Sequence, residues 1–164
     1  MGQGIGVRRA GRRDAAAIAA LVGEAAGAQF TVSEAEVLEW LFSKGLVVAA
    51  DAEALLGVTA WQAENLVAVT DVFALSPQFP TRAGTALLDY IEAEANTLMC
   101  EANIVLLPAW AAPEVRPLLR RRGYEAQELK KLHRIWREVL SEFEIKGLDL
   151  MVKRLRERMV MVPL

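Results

Sequence analysis

Residues 71–92, DVFALSPQFPTRAGTALLDYIE, bring a carboxylate within the strand, one arginine and one glycine to a strand, a proline-broken loop and the start of an amphipathic helix. Such a junction is where many folds hold a phosphate. The first backbone N–H groups of a helix lack intrahelical partners, and the helix dipole adds partial positive charge there. Gly84 lets the main chain come close to an anion and Arg82 offers an ionic contact, while Pro80 takes one donor away. Asp71 stands among valine, phenylalanine and alanine. A carboxylate in that setting either pairs with a neighbouring cation or has a chemical task.

Other reactive side chains are few. His133 is the only histidine and Cys100 the only cysteine. With no second ligand near either in sequence, no metal site is expected. Cys100 follows Leu98 and Met99 on an apolar face and reads as a buried structural thiol. A single cysteine forms no internal disulfide, which fits a reducing cytoplasm. Trp61 and Trp110 fall at strand ends, where an aromatic serves either as a wall of an acceptor pocket or as a core lid. Trp61 is the candidate for the first role and Trp110 for the second. Arg116, Arg120, Arg121 and Arg122 read mainly as the solvated face of a short helix, with favourable charge at its C-terminal end.

The elements that must position these residues follow from periodicity. Residues 5–10 form a strand candidate, and Asp14 caps a helix carrying Ile18, Leu21 and Val22. Overlapping capping-box signals, Thr31 with Glu34 and Ser33 with Glu36, open a second helix that Gly45 stops. Strand-like runs cover 46–50, 55–61 and 66–75. Helical spacing returns over 85–99, then a continuous apolar strand over 103–107. A short basic helix at 113–122 ends at Gly123, Tyr124 opens an extended segment, 130–143 carries one more helix, and 148–155 a last strand. Clustered strands followed by alternating helices and strands imply a mixed sheet covered on both faces.

The chain has 164 residues, 54% of them hydrophobic and 24% charged, with a formal net charge of −2. That describes one domain with a sizeable core and gives no overall attraction to nucleic acid. No apolar run has the length of a membrane span, and no signal-peptide core is present at the start. The final residues, MVMVPL, are mostly apolar and pack either on the domain or on a partner chain.

In their order and spacing, VRRAGRRDAAAIAALV, FALSPQFPTRAGTALLDYIE and VRPLLRRRGYE resemble the GNAT superfamily of acyl-CoA-dependent N-acyltransferases over nearly the whole chain. The resemblance implies an α/β (α+β) fold with a mixed, mostly antiparallel sheet of six or seven strands and helices on both faces. It implies a single GNAT-like domain over residues 1–164, with the extra helix at about 130–143 inserted before the last strand. Acetyl-CoA or another acyl-CoA is the implied co-substrate, without a metal. Its diphosphate would sit on Arg82, Ala83, Gly84 and Thr85, and an amide near Phe73, Ala74 and Leu75 would polarise the thioester carbonyl. The family's usual carboxylate position falls at Val69 and its usual tyrosine position at Leu119. Asp71, on the same face as Val69 by the strand period, therefore becomes the candidate catalytic base, with Trp61 in the substrate pocket.

The segment ELKKLHRIWREVLSEFEIKGLDLMVKRL resembles N-acetylglutamate synthase-type members through Leu132, Ile135, Trp136, Met151 and Val152. This implies a small-molecule amine or an amino acid as acceptor, in a cytoplasmic protein with a homodimer as the expected assembly and neither nucleic acid nor membrane as partner. Val69, Leu119 and the sparse loop carry a second reading. That reading is a catalytically degraded GNAT-like domain that binds CoA as a sensor or serves as an interaction module. Sequence leaves both open.

Overall fold

Valine- and leucine-rich runs joined by tight turns make an antiparallel ladder in the first half of the chain. In the computed structural model, which describes residues 4–52 and 54–156, β1 (Gly6–Arg9), β2 (Gly45–Ala50), β3 (Leu55–Glu64) and β4 (Val67–Leu75) pair in succession. Asn65 and Leu66 turn β3 into β4, both at positive φ (49° and 64°), the conformation that matches a two-residue hairpin to the strand twist. β5 (Ala102–Leu107) joins β4 in parallel, and β7 (Asp149–Arg154) and β6 (Glu125–Gln127) complete a seven-stranded sheet of order β1-β2-β3-β4-β5-β7-β6.

Three cores divide the two faces. α3 (Pro80–Thr97) and α4 (Val115–Arg121) cover one face, burying Leu87, Leu88, Ile91, Leu118 and Leu119 against Val47, Phe73, Leu75 and Val105. On the other face α1 (Ala15–Ala25) and α2 (Glu34–Ser43) cover β2, β3 and the end of β4. α5 (Arg134–Leu140) covers the start of β4 together with β5 and β7, through Trp136, Val139 and Leu140. The boundary between those two cores falls along β4.

Local signals behave unevenly. Ser33 does cap α2, accepting from the Glu36 amide at 3.1 Å. Asp14 does not cap α1 through its side chain: its carboxylate accepts from the Gly11 amide at 2.8 Å and from Arg8 at 2.8 and 2.9 Å, closing the preceding turn. The Arg8 contact holds the Asp14 carboxyl below its ordinary range. Helix α3 starts at Pro80 rather than at residue 85, because proline's fixed φ suits a first helical position. The helix expected over 130–143 divides into a 3-10 turn, Leu129–Lys131, and α5. The extended backbone of His133 (ψ 142°) separates them, and the His133 ring nitrogen Nδ1 accepts from the Ile135 amide. The apolar tail lies outside the described residues.

Candidate functional site

β4 and β5 pair only from Val67↔Ala102 to Thr70↔Val105. β4 then continues along β3 to Leu75, while β5 continues along β7 to Leu107. The two strands therefore part in the middle of the sheet. Among the described residues no strand lies opposite the backbone groups of β4 that face the gap beyond Thr70, so they are open to a ligand or water. A bulge marks the same point: Ala60 faces Val72 and Trp61 faces Thr70, which leaves Asp71 without a partner on β3. Phe73, Ala74 and Leu75 border this gap with buried side chains, so only their main chain is available to it.

The parting point is also a seam on the α1/α2/α5 face. Val69 packs under α5, whereas Val72 and Ala74 pack under α1 and α2, and Asp71 lies between them. Lys44, just past the end of α2, donates from Nζ to Asp71 Oδ2; the two side chains are 19% and 13% exposed. The same ammonium lies 6.0 Å from the Trp40 ring centroid. Asp71 Oδ1 is buried and has no hydrogen-bond partner among the described residues. The cation-pair reading of Asp71 thus holds, yet it accounts for one oxygen only. A buried acceptor left open costs on the order of 1–3 kcal/mol, an expense that a bound donor would cancel.

The opposite face carries a closed polar network that the sequence did not signal. Thr70 Oγ1 donates to Asn103 Oδ1 at 2.9 Å, Asn103 Nδ2 donates to the Tyr124 hydroxyl at 2.9 Å, and Tyr124 donates to Glu92 Oε2 at 2.9 Å. Lys153 Nζ donates to Glu92 Oε1 at 2.6 Å and caps the Tyr124 ring at 5.7 Å from its centroid. Thr70, Asn103 and Tyr124 are almost fully buried. Burial first, and then the Glu92 carboxylate, hold the Tyr124 phenol far above its ordinary value of 10.0. Tyr124 stays a neutral donor, and each member of the chain has its partner.

At the anion end, the helix start relocates the available donors. The Ala83 amide bonds to the Phe79 carbonyl at 3.0 Å, and Gly84 and Thr85 fall deeper in the i→i−4 ladder of α3. The peptide nitrogens of Ala83, Gly84 and Thr85, expected to face an anion, are therefore engaged within the helix. Thr81 and Arg82, in its first turn, hold the open amides. Gly84 serves packing. A Cβ there would collide with Leu118 Cδ2 and come within 3.1 Å of Leu75 Cδ1, so its absence lets α3 close on α4 and β4. Phe79 takes a left-handed conformation (φ 54°, ψ 46°) with its ring 56% exposed, and the Arg82 guanidinium lies 5.7 Å from that ring's centroid. Phe79 is thus exposed and not part of the packed core.

Other candidates separate. Trp61 packs in the core under α3, its indole against Gly45, and lines a cavity of about 300 Å³ with Arg9, Lys44, Tyr90 and Glu94. Asp71 does not line that cavity, so the structure does not bring Trp61 and Asp71 into one pocket. Alternation explains this: Trp61 is paired to Thr70 and shares its face, not that of Asp71. Val69 and Leu119 are both core residues. Trp110, after β5, stacks on Phe30 of the α1–α2 connection, with centroids 5.3 Å apart and planes at 7°. The rings join segments from opposite sides of the gap. Burial raises the Cys100 thiol, with Arg156 opposing, as suits a structural cysteine.

No family model matches the chain, and no curated protein matches it. Solved structures do. An acetyltransferase of the GNAT family from Staphylococcus aureus superposes with a TM-score of 0.75 at 10% identity, over 93% of this chain and 99% of that one. The PaiA N-acetyltransferase of Thermoplasma acidophilum, solved with coenzyme A, gives 0.71 at 11% identity over 93% and 99%. N-acetylglutamate synthase from Neisseria gonorrhoeae, solved with coenzyme A and N-acetyl-glutamate, gives 0.70 at 18% identity, over 96% of this chain. The chain spans 36% of the length of that synthase. The fold is thus the GNAT fold, and its likeness extends to a synthase of the kind the C-terminal segment resembles.

Proposed function

We propose that this chain is an acyl-CoA-dependent N-acyltransferase that moves an acetyl or other acyl group to the amine of a small molecule or amino acid. The observation that carries this reading is the parting of β4 from β5 beside Asp71. A thioester placed in that gap meets the main chain of β4 along Phe73, Ala74 and Leu75, where the amides that alternate away from β3 are suited to hold a developing oxyanion. The Thr81 and Arg82 amides and the Arg82 guanidinium receive the diphosphate. An acceptor ammonium enters the seam, gives a proton to Asp71 through its open Oδ1, and attacks as the neutral amine. Phe30 and Trp110 form the aromatic edge of the acceptor entrance. The chain acts in the cytoplasm as one domain, with a homodimer as the assembly to test.

A second reading, acyl-CoA binding without turnover, is favoured by two positions. Val69 and Leu119 are buried and apolar where the family's base and acid are expected. Two measurements separate the readings. Acetyl-CoA that binds the folded state raises the melting temperature. No shift at millimolar acetyl-CoA removes both. A shift without thiol release across an amine and amino acid panel leaves the binding module.

A further inference from the structure

The seam that acyl transfer needs already contains an amine. Gly45 pairs with Trp61, and Trp61 with Thr70, so the backbone of Lys44 starts two strands, about 10 Å, from the bulge. Its side chain and that of Asp71 together span that interval and place Nζ on Asp71 Oδ2, mostly shielded from solvent. Any acceptor ammonium has to meet the same conditions, contact with the carboxylate and a position where β4 leaves β5. The remaining described lysines differ. Lys130 and Lys131 are 80% and 67% exposed, Lys146 is exposed as well, and Lys153 is bound to Glu92 on the opposite face.

We infer that Lys44 is an acyl acceptor belonging to the protein itself: supplied with an acyl-CoA thioester, the chain acylates Lys44 at Nζ. The inference rests on the acyltransfer reading above. Asp71 takes a proton from the Lys44 ammonium, and the freed nitrogen lone pair forms a bond to the thioester carbonyl carbon. The nitrogen sheds its second proton to water as the carbon–sulfur bond breaks, and coenzyme A leaves as a thiolate that recovers the first proton from Asp71 through water. The products are an amide on Lys44 and free coenzyme A, with no redox partner. A single turnover tolerates a slow leaving step, which suits Leu119 in place of a general acid. Acylation removes the Lys44 charge, so Asp71 loses its cation and becomes open to other donors.

The test is peptide mapping by mass spectrometry of the full chain after incubation with acetyl-CoA, beside the same chain unfolded in denaturant. One acetyl group on Lys44 in the folded sample, in excess of every other lysine and absent from the unfolded control, is the expected result. In Asp71→Asn the rate of that modification falls about 100-fold, the scale of one proton-transfer catalyst. Thermal shift with acetyl-CoA is run on the same samples. A shift with Lys44 unmodified, or modified no faster than in the unfolded chain, overturns the inference and leaves the proposed function standing. No shift and no modification overturns both. Mapping the unaltered chain needs no variant to fold.

Discussion

Thr70 and Asp71 are neighbours, yet they serve opposite faces of the sheet and meet opposite treatment. The Thr70 side belongs to a closed chain in which Asn103, Tyr124, Glu92 and Lys153 satisfy one another across four elements. The Asp71 side is a bulged residue with one oxygen on Lys44 and the other buried and open. Both sets are polar and shielded from solvent. A satisfied buried network rigidifies a core, whereas a half-satisfied one carries a cost that a stable fold would avoid unless the open atom is used. Pairing geometry draws the line between them, because the bulge and the end of the β4–β5 ladder fall on Asp71 and not on Thr70.

The largest expected effect lies on the open side. Asp71→Asn keeps the shape of the seam but removes the proton acceptor, so acyl transfer to any competent amine falls about 100-fold with acetyl-CoA binding retained. Thiol-release kinetics and a thermal shift measured side by side check this; equal rates in variant and parent would show that Asp71 is only an ion-pair partner. On the closed side the sign reverses. Tyr124→Phe leaves Asn103 and Glu92 without the phenol and lowers stability by about 1–3 kcal/mol in urea unfolding, while turnover per folded molecule stays unchanged.

A comparable loss, about 1–3 kcal/mol, is expected for Gly84→Ala. Alanine normally favours a helix interior over glycine by about 1 kcal/mol, but overpacking against the buried Leu118 outweighs that gain. A rise in melting temperature would show instead that Leu118 yields freely. Tyr124 also sets an alkaline limit. Its folded value is raised above the unfolded 10.0, so its contribution is complete below pH 10 and declines as pH rises beyond it. The decline of melting temperature above that pH flattens in Tyr124→Phe. The smallest effect is on the anion end. Arg82→Ala weakens coenzyme A binding less than tenfold in titration calorimetry, because two backbone amides remain and the guanidinium is exposed beside Phe79.

Much of the fold was legible because side-chain periodicity reports burial directly. The apolar spacing of Leu87, Leu88, Ile91 and Ala95 marks one helix face, and the alternation through Val47 and Ala49 marks a strand, wherever the chain is cut. The Ser33 cap is legible because it closes within one turn. Asp14 departs from its expected cap because a carboxylate beside an arginine and a glycine amide has competing partners close by. The site was less legible. Asp71 was chosen for its place in an apolar strand, but its cation stands 27 positions away in sequence, and only β2–β3–β4 pairing brings Lys44 to it. The buried network gave no signal at all, since Asn103 and Glu92 look like any polar residues on a strand and a helix.

The order of strands and helices, the GNAT likeness and a carboxylate on the fourth strand were set by the linear chain, because period, turn chemistry and capping act over a few residues. Tertiary structure alone decided the working parts. It shifted the free amides to Thr81 and Arg82, turned Gly84 into a packing residue, put Trp61 and Asp71 on different faces, and seated Lys44 on the carboxylate. Each of these depends on where strands part and which side chains share a face, and such distances are created only when remote segments close on one another.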